Sequence, residues 1–253
     1  MPEQEHTLPS GLSGIIAPWK TGDLAVFTDR RLARMPGPTF EAELAKRSWR
    51  STTELGPYTF DGRPTWMRDV LQGDLFDVTR MARILTWGAM YPTDFQCRGK
   101  FCEHKIEVDV NLADMKIKHL SEEAAQMFVN GNRFPFTVPD CGTEILYSLP
   151  TGASAVRADK LAKQHGRHIH VMLAARLVSV QGVESPGRFV DWMANLSASD
   201  GIAVEEEMDR LNPGVDTSVD VICEECGLAQ SHDVPFGPSF FTPERRKKKT
   251  SSD

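Results

Sequence analysis

The chain has 253 residues, with 29 Lys and Arg against 35 Asp and Glu, a formal charge of −6 and 40% hydrophobic residues. That share supplies enough Leu, Val, Ile and Phe to build a core, which excludes disorder as the dominant state. The longest apolar-rich run, residues 171–180, contains Arg176. A helix that crosses a membrane needs about 20 apolar residues, so a membrane span is excluded as well.

Residues 1–22 read as an extended N-terminal arm. Pro9, Gly11, Gly14 and Pro18 each work against a continuous helix. The first six residues are acidic and precede no apolar stretch of secretory length, so a reducing cytoplasm is the expected setting. Residues 23–94 read as a helical region, with short helices over 23–34 and 39–47. A longer helix spans 74–87, where Leu75, Val78, Met81, Ala82 and Leu85 recur at helical spacing. Asp77, Arg80 and Arg83 fall off that stripe and suit a solvated face. Asp74 and Asp77 would cap and solvate the helix, and Gly88 is a C-terminal stop.

Residues 95–153 read as a β region, with strands over 106–110, 134–138 and 143–149. Residues 154–215 read as a helical insertion, with helices over 155–164, 187–195 and 203–211. Residues 216–243 return to strands at 217–222 and 232–236. Helices and strands are segregated rather than alternating, which predicts an α+β fold. The last segment, 244–253, holds Arg245, Arg246, Lys247, Lys248 and Lys249 with no apolar residue, and reads as a disordered basic tail.

Two cysteine pairs carry the chemical content. Cys97 and Cys102 enclose Gly99 in a C-x4-C turn, and Cys223 and Cys226 form a C-x2-C turn followed by Gly227. Each pair sits where a strand meets a turn, so both sulfurs of a pair can face one point. Two such turns brought together make a tetrahedral all-sulfur zinc site that leaves no position open for water, a structural rather than a catalytic geometry. The 120 intervening residues are far more than the 15 to 20 or so of a compact zinc ribbon. The ion would therefore fasten early chain to late chain. A redox dithiol and unliganded cysteines are the competing readings, and His104 or His232 could replace one thiolate each. Cys141 is the odd cysteine. It would be a nucleophile only if His165, His168 or His170 served as its base, and a plain structural thiol is the simpler reading. No phosphate-binding glycine loop, zinc-protease or nucleophile-elbow motif is present, so no enzyme and no small-molecule substrate are expected.

The order of these features resembles the baseplate hub protein family of contractile-tailed bacteriophages (the T-even type base plate proteins). The resemblance rests on Leu8-Pro9-Ser10-Gly11, the helix ending in Trp87-Gly88, the pair Cys97/Cys102, the strand over 106–110, the pair Cys223/Cys226 and Phe236-Gly237-Pro238-Ser239-Phe240-Phe241. It implies a non-enzymatic virion component that assembles with other baseplate hub and tail proteins in the host cytoplasm and stays in the tail baseplate. It also implies that Cys97, Cys102, Cys223 and Cys226 are the zinc ligands. The alternative is a zinc-stabilised nucleic-acid-binding protein acting through the basic tail, which the acidic body opposes.

Overall fold

A computed structural model describes residues 2–23, 37–61, 64–129, 131–236 and 238–241. Nearly all of the helix expected over 23–34, and the whole basic tail, lie outside the described residues. The class is α+β, built from helices and several small antiparallel sheets.

The segment expected as an extended arm is a hairpin. Strands β1 (Gln4–Thr7) and β2 (Ser13–Ile16) pair with Gln4 opposite Ile16, and the turn closes through Leu8 N–H to the Leu12 carbonyl at 2.8 Å. After α1 (Gly37–Ser48), β3 (Trp49–Glu54) adds to β2, making a three-stranded sheet inside the region read as helical. Helix α2 (Gln72–Trp87) follows and stops at Gly88, whose φ of 90° few other residues adopt. Strands β4 (Met90–Gln96) and β5 (Lys105–Asn111) form a seven-pair hairpin. Its register places Tyr91 opposite Val110 and Phe95 opposite Ile106, all four buried, so one face enters the core.

Beyond this hairpin the chain enters a lobe through β6 (Ile117–Lys118) and leaves it through β10 (Gly214–Val215), which pair antiparallel. The lobe holds α3 (Glu122–Val129), β7 (Phe134–Thr137), β8 (Glu144–Tyr147), α4 (Gly152–His165), α5 (Ile169–Ala174), β9 (Leu177–Val180), α6 (Pro186–Ala194) and α7 (Ala198–Leu211). The apolar run at 171–180 splits between α5 and β9, and β9 joins β8 as the third strand of the sheet β7-β8-β9. The part read as a helical insertion thus contains two strands, β9 and β10. The last elements are the hairpin β11 (Ser218–Ile222) with β12 (Ala229–Asp233), and the short helix α8 (Pro238–Phe241).

Helix α2 departs most from expectation. Asp74, Asp77, Arg80 and Arg83, read as a capping and solvated face, are all at most 2% exposed. Each charge is matched by a segment packed around the helix, which is why burial is tolerated. Asp74 accepts from the Ser10 backbone N–H at 2.9 Å and from the Tyr58 hydroxyl at 2.7 Å. Burial still pushes its carboxyl up to about 6, against the pull of those hydrogen bonds. Asp77 contacts His6 Nε2 at 2.7 Å and pairs with Arg80, which donates to the Leu112 carbonyl at 2.6 Å. Arg83 donates to the carbonyls of Phe240, Gly88 and Met90, and its guanidinium lies 6.0 Å from the ring centroids of Tyr91 and Phe240.

Three of the short motifs meet on this helix. The Leu8–Gly11 turn docks through Ser10 on its N-terminal end. Phe236 packs on Phe76 at 4.4 Å, and Trp87 Nε1 donates to the Phe241 carbonyl at 3.1 Å. Tyr58 also accepts from the Leu71 N–H at 3.0 Å just before the helix starts. The Tyr58→Phe substitution leaves Leu71 N–H and one Asp74 oxygen unsatisfied in the interior. It should cost about 1–3 kcal/mol of stability, read from urea unfolding midpoints. An unchanged midpoint would show that this hydroxyl does not organise the helix entrance.

Candidate metal centre

The strand period carries the first sulfur inward. Tyr91, Thr93, Phe95 and Cys97 share one face of β4 and its extension, and Tyr91, Phe95 and Cys97 are buried. The same alternation in β11 puts Val219 and Val221 on the face that continues to Cys223, which is 1% exposed. The two hairpins face each other through these residues. Phe95 stacks on His232 at 4.8 Å, Arg98 N–H donates to Gln230 Oε1 at 2.9 Å, and Arg98 NH1 donates to the Ser231 carbonyl at 3.1 Å.

Both tips are tight turns closed by backbone hydrogen bonds. Cys97 N–H donates to the His104 carbonyl at 3.0 Å, and Cys102 N–H to the Gly99 carbonyl at 2.9 Å. In the second tip Cys223 N–H donates to the Leu228 carbonyl, and Gly227 N–H to the Cys223 carbonyl. The four Sγ atoms consequently lie within 4.8 Å of one another, although 120 residues separate the pairs. Cys97 is 3.5 Å from Cys226, and Cys102 is 3.7 Å from Cys223.

These distances test the site for a metal. Four sulfurs about 2.3 Å from a central ion at tetrahedral angles are about 3.8 Å apart, close to the 3.5 and 3.7 Å that separate the sulfurs paired across the two tips. The residues fit a tetrahedral all-sulfur site, the donor set that selects zinc or iron. Among the described residues, these cysteines are the one group of His, Cys, Asp and Glu whose ligand atoms gather closely enough to hold a metal ion.

The surroundings favour a thiolate at one corner. Gln230 Nε2 and the Gly99 N–H each donate to Cys97 Sγ at 3.3 Å, and with the neighbouring thiols they lower its pKa to about 6. The His104 backbone N–H pulls the Cys102 thiol down, but burial and the other sulfurs outweigh it and push that thiol up to about 12. Cys226 is likewise raised, despite the Leu228 backbone hydrogen bond, by Cys97 and by desolvation. Sulfurs this close cannot all ionise without a cation among them, and a divalent ion removes that conflict.

The histidines near the pairs have other partners. His232 Nε2 donates to Gln230 Oε1 (2.9 Å), and the ring is kept below its ordinary range by desolvation and then by Arg98. His104 Nδ1 lies 3.5 Å from Glu225. Neither replaces a thiolate. Cys141 is exposed and bonds Thr143 Oγ1 at 3.3 Å, while His168 and His170 stack on each other at 5.5 Å.

One contributor escaped the sequence reading. Gln230, seven residues beyond Cys223, donates to Cys97 Sγ and accepts from Arg98, so it bonds both to the site and to the opposite tip. Only its inward register on β12 could have flagged it.

Gly99 leaves little room for a side chain. A Cβ there would lie 3.1 Å from Cys226 Sγ, 3.2 Å from Cys102 Cβ and 3.3 Å from Cys97 Sγ. Gly99→Ala should therefore spread the sulfurs and lower metal affinity about 10- to 100-fold, the range for perturbing the groups that orient metal ligands. Competition with a chromophoric chelator measures this, and wild-type retention would reject the crowding argument.

No protein-family model, curated protein or solved structure matches this chain.

Proposed function

We propose that this chain is a structural assembly protein in which a single zinc ion, held by Cys97, Cys102, Cys223 and Cys226, fastens early chain to late chain. The observation that carries the reading is the meeting of two hairpin tips, remote in sequence, as four sulfurs with tetrahedral spacing. Four protein ligands complete zinc's coordination and leave no place for a reacting water, so the ion's contribution is mechanical. Apparent binding energies for such sites are about 10–16 kcal/mol at neutral pH, comparable to the whole stability of a domain.

The resemblance to the baseplate hub proteins of contractile tails gives this role a setting. Its support here is that the motifs behind the resemblance form one connected unit rather than scattered matches. The Leu8–Gly11 turn and the Phe236–Phe241 segment pack on α2, the first cysteine hairpin follows directly from α2, and the second precedes α8. We therefore read the chain as a component that joins other hub and tail proteins during assembly in the host cytoplasm and stays in the baseplate. Among the described residues, no helix is long and apolar enough to cross a membrane. The nucleic-acid alternative rests on residues 244–253, which lie outside the described residues.

Elemental analysis of the purified chain should return one zinc ion per molecule, and Cys223→Ser should lower that markedly. Chelation should reduce the melting temperature of the wild type and change the Cys223→Ser variant little. Cys141→Ala should retain zinc fully. Absence of stoichiometric zinc would reject the metal reading. Absence of the protein from tail particles and their assembly intermediates would reject the baseplate role.

A further inference from the structure

Two close sulfur contacts at the metal centre run from one tip to the other. Cys97 Sγ lies 3.5 Å from Cys226 Sγ, and Cys102 Sγ lies 3.7 Å from Cys223 Sγ. Together these contacts use all four sulfurs, and each joins a sheltered cysteine to a more accessible one. Cys97 and Cys223 are buried, whereas Cys226 is exposed and Cys102 half-buried. A disulfide bond is about 2.05 Å long, so each pair needs to close by only about 1.5 Å to become covalent. The partners are 129 and 121 residues apart in sequence. In an unfolded chain, joining positions so remote costs entropy. In the fold that cost is already met, because Phe95 on His232 and Arg98 on Gln230 hold the tips together without the sulfurs.

We propose that the centre is a redox-sensitive clip, in which peroxide converts the four thiolates into two disulfides across the tips, Cys97–Cys226 and Cys102–Cys223. The pairing rests on the sulfur positions alone; the release of an ion rests on the zinc reading. In each pair the accessible sulfur attacks one peroxide oxygen. The O–O bond breaks, hydroxide leaves and a sulfenic acid forms. The sheltered sulfur of the opposite tip then attacks that sulfenic sulfur. The S–S bond forms, the S–O bond breaks and a second hydroxide leaves. Two thiolates thus give two electrons to one peroxide, and two peroxides oxidise all four. Thiolates are the metal ligands, so their conversion to disulfides releases the ion.

The direction of the pairing decides what oxidation does to the molecule. Disulfides within the turns would leave nothing covalent between the tips and would undo the fastening. Crossed disulfides keep early chain joined to late chain, by an ion in the reduced state and by bonds in the oxidised one. For a chain assembled in a reducing cytoplasm and carried out in a particle, the join persists through the change of medium.

Peroxide titration of the purified full chain tests this, with Cys141→Ala introduced so that the fifth thiol takes no part. Trypsin cuts after Arg98 and Lys100, and cleavage after Glu224 and Glu225 separates Cys223 from Cys226, so mass spectrometry of the unreduced digest assigns every disulfide. The expected result is loss of all four thiols, with Cys97 linked to Cys226 and Cys102 to Cys223. A chromophoric chelator should register release of the bound zinc as the thiols disappear. A chelator that lowers the melting temperature of the reduced chain should leave that of the oxidised chain unchanged. Disulfides within either turn, the opposite crossing of Cys97 with Cys223, oxidation to sulfinic acids, or thiols that survive excess peroxide would each overturn the proposal. A chain isolated without zinc that forms the same two disulfides would uphold the pairing and reject the metal reading.

Discussion

Four sulfurs held at about contact distance by two opposed hairpin tips are the constraint that organises this molecule. Their approach closes a loop of 120 residues. Chain entropy resists closing a loop of that length by on the order of 4 kcal/mol, more than a surface contact returns. A tetrahedral ion bound there would offset it roughly threefold, at about 10–16 kcal/mol, and would also resolve the proton competition that the bare thiols impose on one another. The hairpins pack through Phe95, His232, Arg98 and Gln230, so the sulfur geometry is supported by apolar and hydrogen-bonded contacts rather than by the ion alone.

Helix α2 plays the complementary part on the inside. Its charged residues are buried because each has a specific partner in another segment, and several of the partners come from far along the chain. His6 and Ser10 precede it by some 70 residues, whereas Phe240 follows by more than 150. Such a network contributes modest net stability, since desolvation offsets most of what the bonds return. Its effect is on uniqueness: a slip of the N-terminal hairpin or of α8 would strand a buried charge.

The contrast between what the sequence reveals and what it conceals follows from the range of the interactions. The convergence of the cysteine pairs was legible because thiol pairs beside turn glycines have few uses other than metal binding. The apolar stripe of α2 was legible too, as were the alternations at 106–110 and 217–222. Hidden were the strands β1, β2 and β3, each four to six residues long and interrupted by glycine or polar residues, whose pairing is decided by the sheet they build. The starts of α4 and α7 were placed three and five residues late, although Thr151 with Ser154 and Ser197 with Asp200 form recognisable caps. Polar residues along α2 suggested solvent because periodicity sees only one helix at a time. One partner that buries Arg83, the Phe240 carbonyl, lies in a segment no local window includes.

The narrow ribbon of Ile117–Lys118 against Gly214–Val215 has an evolutionary corollary. Because the lobe departs and returns through neighbouring strands, its two ends lie side by side. Growth or shrinkage in the parts of the lobe that do not touch the frame would leave the spacing of those ends unaltered, whereas α3 and the start of α4 are held to it through Phe128 on Tyr58 and the Ala153 N–H on the Met67 carbonyl. Descendants of such an architecture are free to diversify the rest of that lobe while the fastened frame behind it stays the same.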